Sequence, residues 1–368
     1  MIKPIRILHV LSDLGLGGAE AMVMNLYRHI DRDKAQFDFM VNVTEKAYFD
    51  DEVEQLGGHI YRVPRFKGYN LFQYIAAWNR FFDEHPEHVA VHGHLGRPAA
   101  LYLAVAKKRG KFTIAHSHGT HSGGFKGITY ALMAYPTRFI ADWFFACGLQ
   151  AGKSRYGAKI VNSNRFQQVP NAFEVEKFNF NREVRKVYRE QLGLEAHNFT
   201  IGHIGRLDPL KNHTFILKLF NHILSLNPKA RLVLVGEGEE REHIERIIKK
   251  FKLEGSVRML GFRSDASNLL QAFDVFILPS HSEGLPISLI EAQCTGLPCI
   301  ASQNVTSEVR ITDLVEFIPL KESLATWSHA ILAHMNLKGR KSHTKDLIEN
   351  GYEIISSTKK IQEFYLSI

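Results

Sequence analysis

Two acidic residues flank a Gly-Leu-Pro turn in the stretch H-S-E-G-L-P-I-S-L-I-E-A-Q-C-T-G-L-P, residues 281–298. Glu283 precedes the turn, and Glu291 falls inside an apolar segment with a helical pattern. We expect Pro286 in the first turn of that helix and Glu291 about two turns along it. A loop acid can meet sugar hydroxyls, and a helix acid can accept hydrogen bonds from a ribose diol. The alternative is that Glu283 caps the helix and Glu291 pairs with a nearby cation.

Two cations lie in G-R-L-D-P-L-K-N, residues 205–212, directly after a strand pattern at 199–205. Arg206 and Lys211 would then stand between a strand end and a helix start, where backbone N–H groups also point outward. Fixed cations beside a helix N-terminus are well suited to binding a diphosphate. The alternative is a helix whose basic residues simply lie in solvent.

Histidines end two further strand patterns, V-H-G-H and A-H-S-H-G-T-H. The alternation of side chains puts both members of a pair on one face of their strand. Such a cluster could hold a metal, but no clear carboxylate or thiolate accompanies it, and we expect none. The alternatives are a hydrogen bond to a sugar hydroxyl or reacting oxygen, and satisfaction within the fold. The histidines are His92, His94, His116, His118 and His121.

A glycine-rich turn, L-G-L-G-G-A-E at residues 14–20, follows the first strand pattern. Gly15 and Gly17 have the spacing of a dinucleotide fingerprint, but Glu20 occupies the place of its third glycine. The segment is therefore weak as a nicotinamide signal. It predicts a flexible Gly17-Gly18 turn that opens a helix and lets a ligand approach the backbone closely.

Short strand patterns alternate with longer helical patterns along the whole chain, which predicts parallel, doubly wound α/β sheets. A polar, charged segment at 174–191 separates two such series. We therefore predict two Rossmann-like domains that face each other across a cleft. The predicted domains are residues 1–170 and 171–350, with a last helix at 351–368 that could cross back to the first domain.

The bulk composition is that of a soluble globular protein, with 45% hydrophobic and 23% charged residues among 368. Three cysteines exclude a disulfide scaffold and fit the reducing cytoplasm. The N-terminal apolar run is short and indicates a first strand rather than a signal peptide. No run reaches the roughly 18–20 apolar residues that a membrane-spanning helix needs.

The formal charge of +8 is unevenly placed along the chain. Residues 1–170 contain 21 Lys and Arg against 14 Asp and Glu, whereas the remainder contains 25 against 24. Basic residues alternate with aromatic ones in Y-R-V-P-R-F-K-G-Y, and K-K-R-G-K forms a second cluster. Peripheral docking on an anionic membrane fits this pattern. Nucleic acid is not expected, because no recognition motif accompanies the charge. The alternative is a set of solvated surface charges.

Several sequence motifs together resemble the family-four glycosyltransferases of the GT-B fold. They are, in chain order, G-G-A-E, H-S-H-G-T, V-P-N-A-F-E-V-E-K-F, G-R-L-D-P-L-K-N, V-G-E-G and E-G-L-P-I-S-L-I-E-A-Q-C-T-G-L-P-C-I-A-S. The match runs from Gly17 to about Leu320 and is most specific in the paired-glutamate and G-R-L…K-N motifs. The segments around these motifs are similar to those of enzymes of capsular and exopolysaccharide assembly.

The resemblance implies retaining transfer of a hexose or N-acetylhexosamine from a nucleotide-diphosphate sugar, with UDP as the expected nucleotide, and no metal or other cofactor. Arg206 and Lys211 would hold the diphosphate, and Glu291 the ribose. Glu283 would contact the donor sugar beside the loop Gly284-Leu285-Pro286. Further positions are implied as well. The donor phosphates or the acceptor would approach Gly17 and Gly18. His118 would act catalytically, with His116 as the rival alignment. His116 and His94 would lie on the acceptor side.

The implied acceptor is a glycan, with a lipid-linked glycan at the inner face of the cell membrane as the expected form. Two rival functions share this architecture. One is an epimerase or hydrolase that acts on the nucleotide sugar without an acceptor. The other is a non-catalytic nucleotide-sugar-binding subunit of an assembly complex. The joint presence of Arg206, Lys211, Glu283, Glu291 and His118 disfavours the second rival.

Overall fold

A computed structural model describes residues 3–119, 132–335 and 339–368. The chain forms two compact units, each with its own parallel sheet. The first unit runs to Phe173 and takes up Gly351–Ile368 as well, whereas the second unit is Glu174–Asn350. The first unit is therefore assembled from two separate stretches of sequence.

The first unit contains a seven-stranded sheet in the order β3-β2-β1-β4-β5-β6-β7. All of its strand pairs are parallel. The chain order reverses between β1 and β4, which is the point where open sheets of this kind bind ligands. The strands are β1 Ile5–Val10, β2 Ala35–Val41, β3 Ile60–Arg62, β4 His88–Gly93, β5 Phe112–Ser117, β6 Trp143–Ala146 and β7 Phe166–Gln168.

Helices cover both faces of this sheet. Adjacent residues of a strand enter different hydrophobic clusters, as Ile7 and Leu8 do in β1, because side chains alternate between the faces. The cluster around Ile7 also contains Ile354, Ile361 and Tyr365 from the returning C-terminal segment. The helices are α1 Gly18–His29, α2 Asp50–Gln55, α3 Leu71–Glu84, α4 Ala99–Lys108, α5 Thr137–Ile140, α6 Leu149–Tyr156, α7 Ala158–Val161 and, from the C-terminal segment, α15 Ile354–Leu366.

The second unit contains a six-stranded parallel sheet in the order β10-β9-β8-β11-β12-β13, which reverses between β8 and β11. Its strands are β8 Phe199–Ile204, β9 Ala230–Val235, β10 Val257–Met259, β11 Val275–Leu278, β12 Cys299–Ser302 and β13 Val315–Ile318. Its helices are α8 Arg182–Gln191, α9 His213–Leu226, α10 Arg241–Lys250, α11 Ala266–Ala272, α12 Ile287–Cys294, α13 Leu324–Leu332 and α14 Thr344–Glu349.

The predicted parallel α/β fold class is confirmed. Each strand pattern of the sequence is present as a strand, with ends that differ by up to three residues. The patterns are residues 5–10, 37–43, 59–64, 89–94, 112–118, 143–148, 199–205, 231–236, 257–262, 274–280, 297–302 and 315–320. Strand β7 and the short helices α2, α5 and α7 were not predicted, because three to six residues are too few to show a period. Within the described residues, no helix combines the length and apolar character that crossing a bilayer requires.

Candidate functional site

The loop that carries Arg206 and Lys211 follows β8, the strand at the reversal point of the second sheet. Asp208 caps a short 3-10 turn at Pro209–Lys211, and its Oδ1 accepts a 3.2 Å hydrogen bond from the Lys211 backbone N–H. Asn212 then takes a left-handed φ of 59° and leads into α9. The backbone position of Lys211 is therefore fixed by a capped turn rather than by a free loop.

The V-G-E-G segment after β9 supports this loop from the side. Gly236 has a φ of +142°, and a Cβ atom on it would lie 2.0 Å from the carbonyl oxygen of Gly205. The Leu207 backbone N–H donates to the Glu237 carbonyl oxygen at 2.9 Å. Glycine is required at residue 236 because the two backbones touch there.

The loop after β11, the neighbouring strand, is tied to the same place. The His281 backbone N–H donates to the Leu210 carbonyl oxygen at 2.8 Å, and Asn212 Nδ2 donates to the Pro279 carbonyl oxygen at 3.2 Å. The backbone of Glu283 forms an isolated parallel bridge with Val305, which follows β12. The predicted cation loop and the predicted acid loop are thus joined at the carboxyl edge of one sheet.

Lys211 and Glu283 form an ion pair in this site, with 2.6 Å between Lys211 Nζ and Glu283 Oε1. Both side chains are mostly buried, at 15% and 14% exposure. Arg206 is exposed, and its side chain forms no ion pair or hydrogen bond with any described residue. The pair is internally neutral, so Arg206 supplies the excess positive charge at this edge.

Glu291 lies in α12, and here two expectations were wrong. It is the fifth residue of the helix, just over one turn from its start rather than two, and Pro286 is the N-cap residue rather than part of the first turn. The helix starts after Pro286 because Gly284 and Leu285 still belong to the loop. Burial raises the pKa of Glu291 to about 7, and its carboxyl group has no partner among the described residues. A half-ionised, unpartnered carboxyl suits hydrogen bonding to a diol.

The predicted histidines of the first unit lie at the carboxyl ends of β4 and β5 and form two hydrogen-bonded rows. In one row, His118 Nε2 lies 2.7 Å from His94 Nδ1, and His94 Nε2 lies 3.0 Å from His9 Nδ1. In the other row, His116 Nδ1 lies 3.1 Å from His92 Nε2, and His92 Nδ1 lies 2.6 Å from the Tyr365 hydroxyl. His121 lies outside the described residues.

Burial keeps these imidazoles neutral. It lowers the pKa of His9 to about 3, and burial together with the Arg155 guanidinium lowers the pKa of His118 to about 3. The pKa values of His92, His94 and His116 also lie well below the usual 6.5, with burial the largest cause. The cluster therefore carries no net charge at neutral pH.

In the row that ends at His118, one N–H group is not used by the hydrogen bonds within the row. Three neutral imidazoles bring three N–H groups to two links, so one end nitrogen donates and the other accepts. The end nitrogens are His9 Nε2 and His118 Nδ1, and neither has a partner among the described residues. A tautomer shift along the row would therefore exchange donor for acceptor at His118. This property suits a histidine that contacts a reacting oxygen.

Two trios of histidine ring nitrogens have all members within 4.8 Å of one another. They are His9-His92-His94 and His94-His116-His118. Two nitrogens bound to one tetrahedral zinc are about 3.3 Å apart, given zinc–nitrogen distances of about 2.0–2.1 Å. The observed contacts of 2.7 and 3.0 Å are shorter and fit direct hydrogen bonds. The expectation of a metal-free site stays a prediction.

The Gly17-Gly18 turn opens helix α1, as expected. A Cβ atom on Gly17 would lie 2.0 Å from Glu20 Oε2, so a side chain there would displace the flexible Glu20 carboxylate. A Cβ atom on Gly18 would meet nothing within 4 Å. The space beside Gly18 is thus open for a ligand to approach the backbone.

Sequence reasoning missed two members of the histidine cluster. His9 pairs in register with His92, because β1 lies next to β4 in the sheet. Tyr365 comes from α15, 273 positions along the chain from His92. A signal for His9 was available, since it stands near the end of the first strand in I-L-H-V, as His92 does in V-A-V-H. No local signal marks Tyr365.

Comparison with known proteins places this arrangement in a family. The family model described as Glycosyl transferases group 1 matches residues 184–353. EpsF of Bacillus subtilis (strain 168) is 34% identical over 332 residues, which cover 89% of this chain and 86% of EpsF. The chain belongs to the glycosyltransferase group 1 family. The resemblance found in the sequence motifs is thereby confirmed.

Other relatives of this glycosyltransferase carry more specific names. The capsular polysaccharide biosynthesis glycosyltransferase CapH of Staphylococcus aureus is 23% identical over 381 residues and covers 99% of both chains. The UDP-Gal:alpha-D-GlcNAc-diphosphoundecaprenol alpha-1,3-galactosyltransferase of Escherichia coli is 29% identical over 217 residues, 56% of each chain. Anabaena HepE, solved with UDP and glucose, superposes with a TM-score of 0.80 at 17% identity, over 99% of this chain and 100% of HepE. The GT-B fold of this glycosyltransferase follows from that likeness.

Proposed function

We propose that this glycosyltransferase moves a hexose or N-acetylhexosamine from a UDP-sugar to a lipid-linked glycan, with retention at the anomeric carbon and without a metal. The reaction would belong to capsular, exopolysaccharide or related surface polysaccharide assembly at the inner face of the cell membrane. The observation that carries the proposal is the joined pair of loops after β8 and β11, which brings Arg206, Lys211 and Glu283 to one sheet edge.

The donor half of the proposal rests on charge. As the bond between sugar and diphosphate loosens, negative charge grows on the departing phosphate. Arg206 is free to meet that charge, and Lys211 can turn towards it from its ion pair with Glu283. Arg206 needs no change of partner as the charge develops, so it can stabilise the transition state more than the ground state. Glu283 would then be released towards the donor sugar, and Glu291 would hold the ribose.

The names of relatives support the substrate classes. CapH is named for capsular polysaccharide biosynthesis, and the E. coli relative is named for a UDP-galactose donor and a diphosphoundecaprenol acceptor. HepE was solved with UDP and glucose. In the first unit, the neutral imidazole of His118, whose Nδ1 has no partner among the described residues, would hydrogen-bond a hydroxyl group without attracting the diphosphate away from the cations.

The proposal is tested by supplying purified protein with UDP-glucose, UDP-galactose and their N-acetylamino forms, with and without a synthetic undecaprenyl-diphosphate glycan. We expect UDP release from one donor only when the acceptor is present, at an equal rate in excess EDTA. Proton NMR of the product should show the anomeric configuration of the donor. Donor consumption without acceptor would favour the epimerase or hydrolase alternative, and an inverted product would refute retention.

A further inference from the structure

A cavity of about 670 Å³ opens at the carboxyl edge of the first unit's sheet. We call it the basic pocket. The loops after β1, β2, β3 and β4 line it, including both strands at the reversal point, β1 and β4. Its size lies within the range of small-molecule sites, and its position is where open α/β sheets bind ligands. The same edge carries His94 and His118, which follow β4 and β5.

The basic pocket has an excess of positive charge. Arg65, Lys67 and Arg97 line it, and Asp13 is the one acid among its described lining residues. The Asp13 carboxylate already accepts hydrogen bonds from the Gly15 backbone N–H at 2.8 Å and from the Ser12 hydroxyl at 3.1 Å. None of the three cationic side chains has an ion pair or hydrogen bond to any described residue. These three positive charges are therefore not neutralised by any described residue.

The loop that carries two of these cations is held in place. The Lys67 backbone N–H donates to Asn70 Oδ1 at 2.7 Å, and Asn70 Nδ2 donates to the Arg65 carbonyl oxygen at 2.9 Å. One side chain thus closes the turn between the two cations. The backbone of the pocket wall is therefore ordered without a ligand, which lowers the entropy cost of binding one.

Exposed apolar side chains lie close in the sequence to lining residues of the basic pocket, and we call them its apolar rim. Tyr69 and Phe72 are 83% and 87% exposed and lie one and four positions after the lining residue Gly68. Leu132, 69% exposed, precedes the lining residue Met133. Large aromatic side chains that project beside cations are typical of surfaces that enter the interface of an anionic membrane. Such a rim would be unfavourable around a site for a fully water-soluble anion.

We propose that the basic pocket binds the diphosphate of the lipid-linked acceptor while its apolar rim enters the bilayer around the lipid chain. This inference rests on the proposed function and deepens it, because it gives the acceptor's anionic group a site of its own. The three cations match a diphosphate in charge, and the site shares its sheet edge with His118. A glycan attached to the bound diphosphate would then extend along that edge.

The first test measures sedimentation of the purified chain with vesicles. Three compositions are compared: phosphatidylcholine alone, phosphatidylcholine with undecaprenyl diphosphate, and phosphatidylcholine with phosphatidylglycerol at equal surface charge. We expect retention to be strongest with undecaprenyl diphosphate and to be competed by inorganic diphosphate but not by sulfate of equal ionic strength. Equal retention on phosphatidylglycerol, or no competition, would overturn the diphosphate pocket.

Matched variants then locate the binding site. Lys67→Gln should weaken retention on undecaprenyl-diphosphate vesicles about fivefold, since a Lys or Arg near an anionic surface contributes about 1 kcal/mol. Lys250→Gln makes the same change on an exposed lysine at the end of α10 in the second unit, and should leave retention unchanged. A combined Arg65→Gln, Lys67→Gln and Arg97→Gln variant should lose retention about 100-fold. Equal retention by the two lysine variants would overturn the proposal.

The rim is tested separately with Phe72→Ser, which removes an exposed ring and should not affect folding. We expect weaker retention on vesicles and unchanged binding of soluble inorganic diphosphate, measured by calorimetry. Phe139→Ser, on another exposed ring, is the control. UDP binding, measured by thermal shift on every variant, separates the two proposals. If wild type does not bind UDP, the proposed function is refuted. If the triple variant binds UDP and is retained on vesicles as wild type is, only the basic pocket is refuted.

Discussion

Two groups of side chains, one at the carboxyl edge of each sheet, carry opposite chemistry. The site in the second unit holds ionic groups: Arg206 without a partner among the described residues and Lys211 paired with Glu283. The histidine cluster in the first unit, beside the basic pocket, is neutral, because burial lowers the pKa of every histidine in it. The two sheets thus place an ion pair in one case and neutral imidazoles in the other at the ends of their strands.

The difference shows what each edge can stabilise. Fixed cations respond to a growing negative charge, which a departing diphosphate supplies. Neutral imidazoles respond to the direction of a hydrogen bond, since each can donate or accept according to its tautomer. A transfer reaction needs both properties, one for the leaving group and one for the hydroxyl groups. The predictions below separate them.

The largest effect is expected from a change at the Lys211–Glu283 ion pair of the second unit. Lys211→Ala should lower turnover about 10²–10³-fold, because the departing phosphate loses one of its two cationic donors. Lys218→Ala is the matched control, since Lys218 is exposed on α9 away from the loop. Circular dichroism should show an intact fold for both. Because Lys211→Ala leaves Glu283 unpaired, a Lys211→Ala/Glu283→Gln double variant should recover stability but not turnover. Wild-type rates in Lys211→Ala would remove the cation from the mechanism.

Variants in the histidine cluster should show whether His118 or His116 is the catalytic residue. His118 is partly exposed, whereas His116 is fully buried. Each has one nitrogen bonded to a neighbouring histidine and one without a partner among the described residues, so exposure is what distinguishes them. We expect His118→Asn to lower turnover about 100-fold with little change in stability, as for loss of an acid–base group. His116→Asn should instead lower the melting temperature. A turnover loss confined to His116→Asn would support the rival alignment.

A smaller effect is expected for Glu291. Glu291→Gln should weaken UDP binding about tenfold, since hydrogen bonds to a charged group contribute about 1.5–3 kcal/mol and the carboxyl is only partly ionised near pH 7. Calorimetry with UDP and with uridine diphosphate lacking the 2′-hydroxyl measures the effect. The variant should bind the two ligands alike. If it still prefers the ribose form as wild type does, Glu291 does not contact the diol.

The smallest effects concern stability against pH, where the two edges should have opposite signs. The pKa of His9 is about 3 in the folded chain and about 6.5 when unfolded, so its contribution is complete above pH 6.5 and is lost as the pH falls towards 3. The pKa of Glu291 is about 7 folded and about 4.5 unfolded, so stability is lost as the pH rises between those values. Urea unfolding from pH 4.5 to 8 should therefore show Glu291→Gln gaining on wild type as pH rises.

The matching test for the first unit is His9→Gln, whose stability relative to wild type should improve as the pH falls from 6.5. The slope is limited to about 1.4 kcal/mol per pH unit for one histidine. Each variant is compared with wild type at the same pH, because this difference in the free energy of unfolding does not require the two units to unfold separately. A pH-independent difference for either variant would show that the group titrates alike in both states.

The second unit's loops could be predicted from the sequence because their signals are local. A strand pattern, a glycine and the run R-L-D-P-L-K-N are enough to place Arg206 and Lys211 at a strand end. The ion pair between Lys211 and Glu283 could not be predicted, since the two residues are 72 positions apart and meet only because β8 and β11 are neighbours in the sheet. Helix α12 was predicted, but the position of its first residue depends on loop geometry and was missed.

The histidine cluster was only half predictable for the same physical reason. His92, His94, His116 and His118 are visible as pairs at the ends of strand patterns. Which pair faces which depends on strand order and register, and a local pattern contains neither. The placement of Tyr365 depends on the packing of α15 against the sheet, which is a tertiary choice.

The return of residues 351–368 to the first unit has a consequence for biosynthesis. A ribosome delivers the first sheet before α15 exists, so Ile361 is absent from the nascent core and His92 lacks the Tyr365 hydroxyl. The early chain must therefore keep an open apolar surface while the whole second unit emerges. A chaperone that shields this surface should bind the nascent chain throughout that interval and be displaced when α15 docks.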